Sequence, residues 1–129
     1  MHYSKILIAT AFIQGGLSAK LLAYVGRDCT GAAESIALAD DSCVTARTPF
    51  RSYKEDGFGS RQQRVSFWGA GACSSAYEYD TWAYDGDYFK SHKCYNINDH
   101  PNNDREFAYS VASKKGTAPP GPARLLTKP

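Results

Sequence analysis

The side chains able to move protons or hold a metal are few and scattered in this chain. Beyond position 2 the only histidines are His92 and His100, isolated in sequence. General acid–base catalysis needs its partners within hydrogen-bond reach of one reacting group. No G-x-S-x-G, P-loop or HExxH string occurs. The carboxylate pairs Glu78 with Asp80 and Asp85 with Asp87 have the residue types of a glycosidase. Acids in a surface turn are ordinarily solvated, however, and a domain of about 100 residues leaves little room for a sugar cleft. The four cysteines form no C-x-x-C pair, and only His92 lies close to one of them, which is poor spacing for zinc. The expectation is a non-enzymatic chain with no metal and no cofactor.

The residues suited to binding are concentrated instead. "YEYDTWAYDGDYFK", residues 77 to 90, carries six aromatic rings and four carboxylates. Asp85–Gly86 is a good type I′ turn, flanked by Tyr84 and Tyr88, so the segment reads as a hairpin. On a strand Tyr77 and Tyr79 share one face, and Trp82 and Tyr84 share one. Such rings either pair across strands, at roughly 0.2 to 1 kcal/mol per pair, or face solvent. Rigid Tyr and Trp give contact area at low entropy cost, and the same rings could stack on carbohydrate. The candidate partner-binding residues are therefore Trp82, Tyr84, Tyr88 and Asp85.

The elements that must position them follow from the rest of the chain. Residues 1–19 read as a secretory leader: Lys5, the apolar run from Ile6 to Ile13, then small residues at Ser18 and Ala19. The run is far short of the ~20 residues a membrane span needs. An exported chain meets an oxidising route, so Cys29, Cys43, Cys73 and Cys94 are expected to form two disulfides. The tail, 113–129, is basic, rich in Pro and Gly and aperiodic, and reads as disordered. Without it the chain is mildly acidic, which argues against a nucleic-acid partner. The expected product is a secreted monomer.

Residues 21–55 can be laid over 64–112. Each piece opens with an apolar strand, "LLAYV" or "VSFW", followed by a glycine turn and a cysteine. Each closes with a second cysteine in "CVT" or "CYNI" and a last strand, "FRSY" or "EFAYSV". "ESIALA" alternates as a strand should, and "EDGFGSRQQ" is a linker. The fold class this predicts is all-β: two Greek-key-like units, together spanning 20–112, forming a small disulfide-stapled β-sandwich. The repeat selects Cys29–Cys43 and Cys73–Cys94, closing loops of 13 and 20 residues, each contributing about 3 kcal/mol. The other two pairings would cross-link the halves and remain open.

The order "GRDCTG", short strand, "SCVT", "FRSYK" resembles the cysteine-containing βγ-crystallin-like small secreted proteins of fungi and their bacterial relatives. These include yeast killer toxins and a Streptomyces metalloproteinase inhibitor. The leader, the two expected staples, the small size and the missing catalytic set point to an effector, toxin-like or antimicrobial factor, and the resemblance, over residues 21 to about 112, implies a protease inhibitor as the alternative. The family's calcium signature is incomplete here. Asn103 and Asp104 fit, but Phe107 and Ala108 stand where Ser or Thr is needed, while Ser52 fits beside an unsuited Arg47 and Thr48. "SHKCYN" with "FAYSV" also resembles the histidine strands of small secreted ribonucleases. The chain after Val111 holds Arg124 but no Glu or His, so the resemblance implies a ribonuclease-like effector without a catalytic set.

Overall fold

A computed structural model of the chain describes residues 18–101 and 103–115. Residues 1–17, most of the expected leader, and 116–129, most of the expected tail, lie outside the described residues. Among the described residues eight strands run β1 (Ala19–Tyr24), β2 (Ala33–Leu38), β3 (Cys43–Phe50), β4 (Ser52–Gly57), β5 (Gln63–Trp68), β6 (Tyr77–Trp82), β7 (Cys94–Asn96) and β8 (Ala108–Lys115). They form two antiparallel sheets, ordered β2-β1-β4-β7 and β3-β8-β5-β6. The expected all-β sandwich is present. Two boundaries differ: β1 already starts at Ala19, buried opposite Leu38, and β8 continues to Lys115. Ser113 is held in β8 because its hydroxyl accepts from Gln63 Nε2 at 2.8 Å, so the tail does not begin there.

Period-two alternation builds the core. On β1 Leu21 and Ala23 are buried; on β5 Val65 and Phe67 are, while their neighbours Arg64, Ser66 and Trp68 lie on the opposite face. Tyr53 of β4 stacks on Phe67 across the sandwich with centroids 4.6 Å apart, which joins the two sheets at their centre.

The sheets do not coincide with the halves of the sequence. β1, β2 and β4 come from the first half, and their fourth partner, β7, is the third strand of the second half. Reciprocally, β3 leaves its own half to pair with β8. Each half lends its third strand to the other.

This exchange overturns the expected disulfides. The bridges are Cys29–Cys94 and Cys43–Cys73, with Cα atoms 6.1 and 6.3 Å apart. Each still links the turn after a first strand to a third strand in the same sheet. That strand, though, belongs to the other half.

Local hydrogen bonds repeat in both halves. Val25 N–H donates to Ala32 O at 3.0 Å, and Gly69 N–H to Ala76 O at 2.7 Å. The Cys29 N–H donates to Ser52 Oγ (2.8 Å), whose hydroxyl donates on to Gly26 O (2.6 Å). The Cys73 N–H donates to Ser110 Oγ (3.0 Å), which donates to Ala70 O (2.5 Å). Asp28 N–H finds Asn96 Oδ1 at 2.7 Å, and Ala72 N–H finds Thr45 Oγ1 at 2.9 Å. Asp28 and Cys29, like Ala72 and Cys73, hold φ between 50 and 60°. Bonds to serine and to the lent strand hold these non-glycine residues in left-handed geometry. The second-half equivalent of Ser52 is thus Ser110, two residues beyond Ala108, the position expected from the calcium signature.

Candidate functional site

The crowded segment does not fold as a hairpin. β6 ends at Trp82 and, among the described residues, pairs only with β5, and residues 83–89 wrap as successive turns. A type I′ turn needs positive φ at both central residues. Asp85 has φ 57°, but Gly86 is not among the positive-φ glycines. Gly86 is there for closeness instead: a Cβ on it would lie 2.6 Å from Trp82 O and 2.7 Å from Thr81 Oγ1. The turn therefore folds back onto the end of β6, where the Thr81 hydroxyl donates to Asp87 O and Phe89 N–H donates to Gly86 O at 2.9 Å.

That folding separates the four candidate residues. Tyr88 turns inward, 6.0 Å from Tyr79, 5.5 Å from Tyr95 and 4.9 Å from His100 between ring centroids. Below it the Tyr53 hydroxyl donates to Tyr88 O at 2.9 Å and lies 2.9 Å from the Tyr79 hydroxyl. Since Tyr53 has one proton to give, Tyr79 must be the donor of the second bond. Burial pushes both phenols well above their ordinary value. Partial burial raises Tyr88 as well, helped by the charges of Asp87 and Asp99. This is a structural tyrosine cluster, and the half-buried ring of Tyr88 packs at its edge.

Tyr84 remains presented, at 39% exposure. One ring neighbour is Phe58, centroids 5.1 Å apart, and the Arg61 guanidinium lies 4.3 Å from its centroid. Phe58 is in turn anchored on buried Phe89 at 6.2 Å. The backbone beneath is tied by Gly59 N–H to Ala83 O (2.9 Å) and Ala83 N–H to Gln63 O (2.8 Å). Exposed Asp85 sits beside Tyr84 and meets Lys90 twice, at 3.6 Å through its carboxylate and 3.1 Å through its carbonyl. Tyr84 and Asp85 thus form one rigid, charged, aromatic knob.

Trp82 lies elsewhere. It pairs with Arg64, so it shares the outer face of the second sheet with Arg64 and Ser66. Asp80, opposite Ser66, is on this face too and forms a 3.7 Å ion pair with Arg64. Trp68, whose ring meets that of Tyr77 at 5.1 Å, ends the row. Sequence reasoning missed Phe58, Arg61, Arg64 and Trp68. The alternation in "RVSFW" could have flagged Trp68, because buried Val65 and Phe67 force it outward.

The residues considered for chemistry are separated. His100 is stacked on Tyr79 at 4.8 Å, while His92 is exposed and its backbone N–H donates to Glu55 Oε1 at 3.1 Å. Glu78 is buried and accepts from Asn103 Nδ2 at 3.4 Å. Among the described residues no group of three His, Cys, Asp or Glu side chains is placed to hold a metal ion. Comparison with protein-family models, curated proteins and solved structures returned no match, so the surface itself is what speaks for function.

Proposed function

We propose that this chain is a small exported binding protein, an effector, toxin-like or antimicrobial factor that engages an extracellular component of a host or competitor. The carrying observation is Tyr84: an exposed ring fixed between Phe58 and Arg61 on a hydrogen-bonded loop, beside Asp85. An aromatic held in place before binding loses little entropy when a partner covers it. Two disulfides fit an oxidising compartment, and among the described residues no helix is long and apolar enough to cross a membrane. Membership of the βγ-crystallin-like secreted proteins is proposed on the same footing. The reciprocal loan of third strands between two like-built halves supports it.

The test is capture of extracellular target material by the disulfide-bonded protein, compared with Tyr84→Ala. Truncating an exposed ring leaves the core intact, so the melting temperature is expected to stay within a few degrees. Affinity for the captured partner is expected to fall by roughly 2 kcal/mol, about 30-fold. Equal capture by the two proteins would remove Tyr84 from the interface.

A further inference from the structure

We infer that two copies of this chain pair antiparallel through β2, joining their first sheets edge to edge. This goes beyond the Tyr84 reading in naming a second surface and its occupant.

Among the described residues four strands end a sheet, and three of them are guarded. β3 breaks its ladder with β8 between Thr45 and Phe50 and carries Pro49 there. β7 is three residues long and pinned by Cys29–Cys94. On β6 the residues from Glu78 to Thr81 are buried, and Asn103 lies against Glu78. β2 has none of these devices. It is six residues long, keeps one register with β1 throughout, and holds neither proline nor lysine. Its exposed side chains, Ala33, Ser35 and Ala37, are small and uncharged. An antiparallel ladder uses the N–H and C=O of alternate residues, so half of those on β2 point away from β1. Leu38 O, at the end of the strand, accepts from Gln63 Nε2 at 2.9 Å. From Ala33 to Ala37, among the described residues, nothing bonds to the outward groups. A regular edge in this state is a template for another strand.

The charges select the occupant. Arg47, whose backbone N–H donates to Glu34 Oε1 at 2.9 Å, stands near the start of β2, and Asp40 and Asp41 follow its end. All three are exposed, and none belongs to an ion pair among the described residues. Glu34 is half-buried on the inward face, opposite buried Ala23, and is engaged by the Arg47 N–H. Lys20, opposite Ala37, and Lys114, opposite Arg64, lie on the outer faces of the two sheets. A partner strand of a single sign would meet its like at one end of this edge. A second copy, run antiparallel, brings Asp40 and Asp41 to Arg47 at both ends. Beside Arg47 a cleft of about 210 Å³, lined by Ala23, Val25, Ala33 and Phe50, leaves room for that turn. Six residues of edge bury less than a standard interface, so the dimer forms only as concentration rises.

Sedimentation equilibrium of the disulfide-bonded protein from about 5 to 500 μM is the test. A monomer–dimer equilibrium is expected, weaker in about 0.5 M salt. Ala37→Lys, which sets charge along the exposed edge, is expected to weaken it at least tenfold. Arg47→Glu should weaken it too, as should Asp40→Arg combined with Asp41→Asn, the asparagine suiting the φ of 58° at that position. Each charge variant opposes like signs in its own dimer. Mixed in equal amounts the two should re-form a dimer, because each supplies the sign that the other lacks. Circular dichroism first confirms that each variant is folded. Tyr84→Ala should dimerise like the unaltered protein, so failure here and failure of the Tyr84 reading are separable. A monomer at every concentration overturns the inference. So does a dimer that Ala37→Lys and both charge variants leave unchanged, or a mixture of the folded charge variants that stays monomeric.

Discussion

Replacing Cys29 and Cys94 together by serine is expected to lower the unfolding free energy by about 4 kcal/mol. The bridge spans 65 residues, so its removal returns a long loop to the unfolded ensemble. It also releases β7, a three-residue edge strand whose only sheet neighbour among the described residues is β4, through Ser52–Asn96, Tyr53–Tyr95 and Lys54–Cys94. That strand carries Tyr95 into the tyrosine cluster and leads into buried Ile97 and His100. Loss of the clasp should therefore loosen the whole side of the sandwich on which Tyr88 sits. The Cys43–Cys73 bridge spans 30 residues and restrains β3, whose pairing with β8 breaks register between Thr45 and Phe50. Its removal should cost slightly less. Urea unfolding of the two double-serine variants under non-reducing conditions measures both numbers. Losses below about 1 kcal/mol would mean that the lent strands are held adequately without sulfur.

The second large effect is with pH. Tyr53 and Tyr79 are fully buried, their hydroxyls bonded to each other, and burial raises both above the ordinary phenol value. An unfolded tyrosine loses its proton near pH 10 while the buried one keeps it. Above that pH the folded state binds more protons than the unfolded one, so stability falls as pH rises. The contribution is complete below about pH 10 and declines above it at about 1.4 kcal/mol per pH unit per tyrosine, roughly 2.7 for the two. A domain of ordinary stability then unfolds within a few pH units. Tyr53→Phe should halve that slope. At neutral pH it should also cost about 1–3 kcal/mol, because Tyr88 O loses its donor and the Tyr79 hydroxyl its acceptor. Phenolate absorbance and urea midpoints between pH 8 and 12 check both. Smooth titration of every tyrosine near pH 10, with no loss of fold, would contradict the buried pair.

Much of this architecture was legible in the residues. "LLAYV", "ESIALA" and "VSFW" became β1, β2 and β5 because their apolar positions alternate, and the likeness of the two halves recurs as matched turns at Cys29 and Cys73. The destination of the third strands was not legible. "CVT" and "CYNI" each carry a cysteine and a polar acceptor two residues on, Thr45 or Asn96, so either could serve either half. Only the non-local pairing of β7 with β4 decides between them, and with it the disulfides. The binding segment failed for a related reason. Asp85–Gly86 has the residues of a hairpin turn, yet among the described residues no returning strand pairs with β6, and the glycine is used for contact with the Trp82 backbone. Of the four candidates, Tyr84 and Asp85 stay together on the surface, Trp82 goes to the outer sheet face, and half-buried Tyr88 packs against the core.

The loan of a strand from each half to the other is the claim on which the rest stands, and sulfur records it directly. Peptide mapping of the intact protein under non-reducing conditions should recover fragments joined through Cys29–Cys94 and Cys43–Cys73. Recovery of Cys29 joined to Cys43 and Cys73 joined to Cys94 would contradict it.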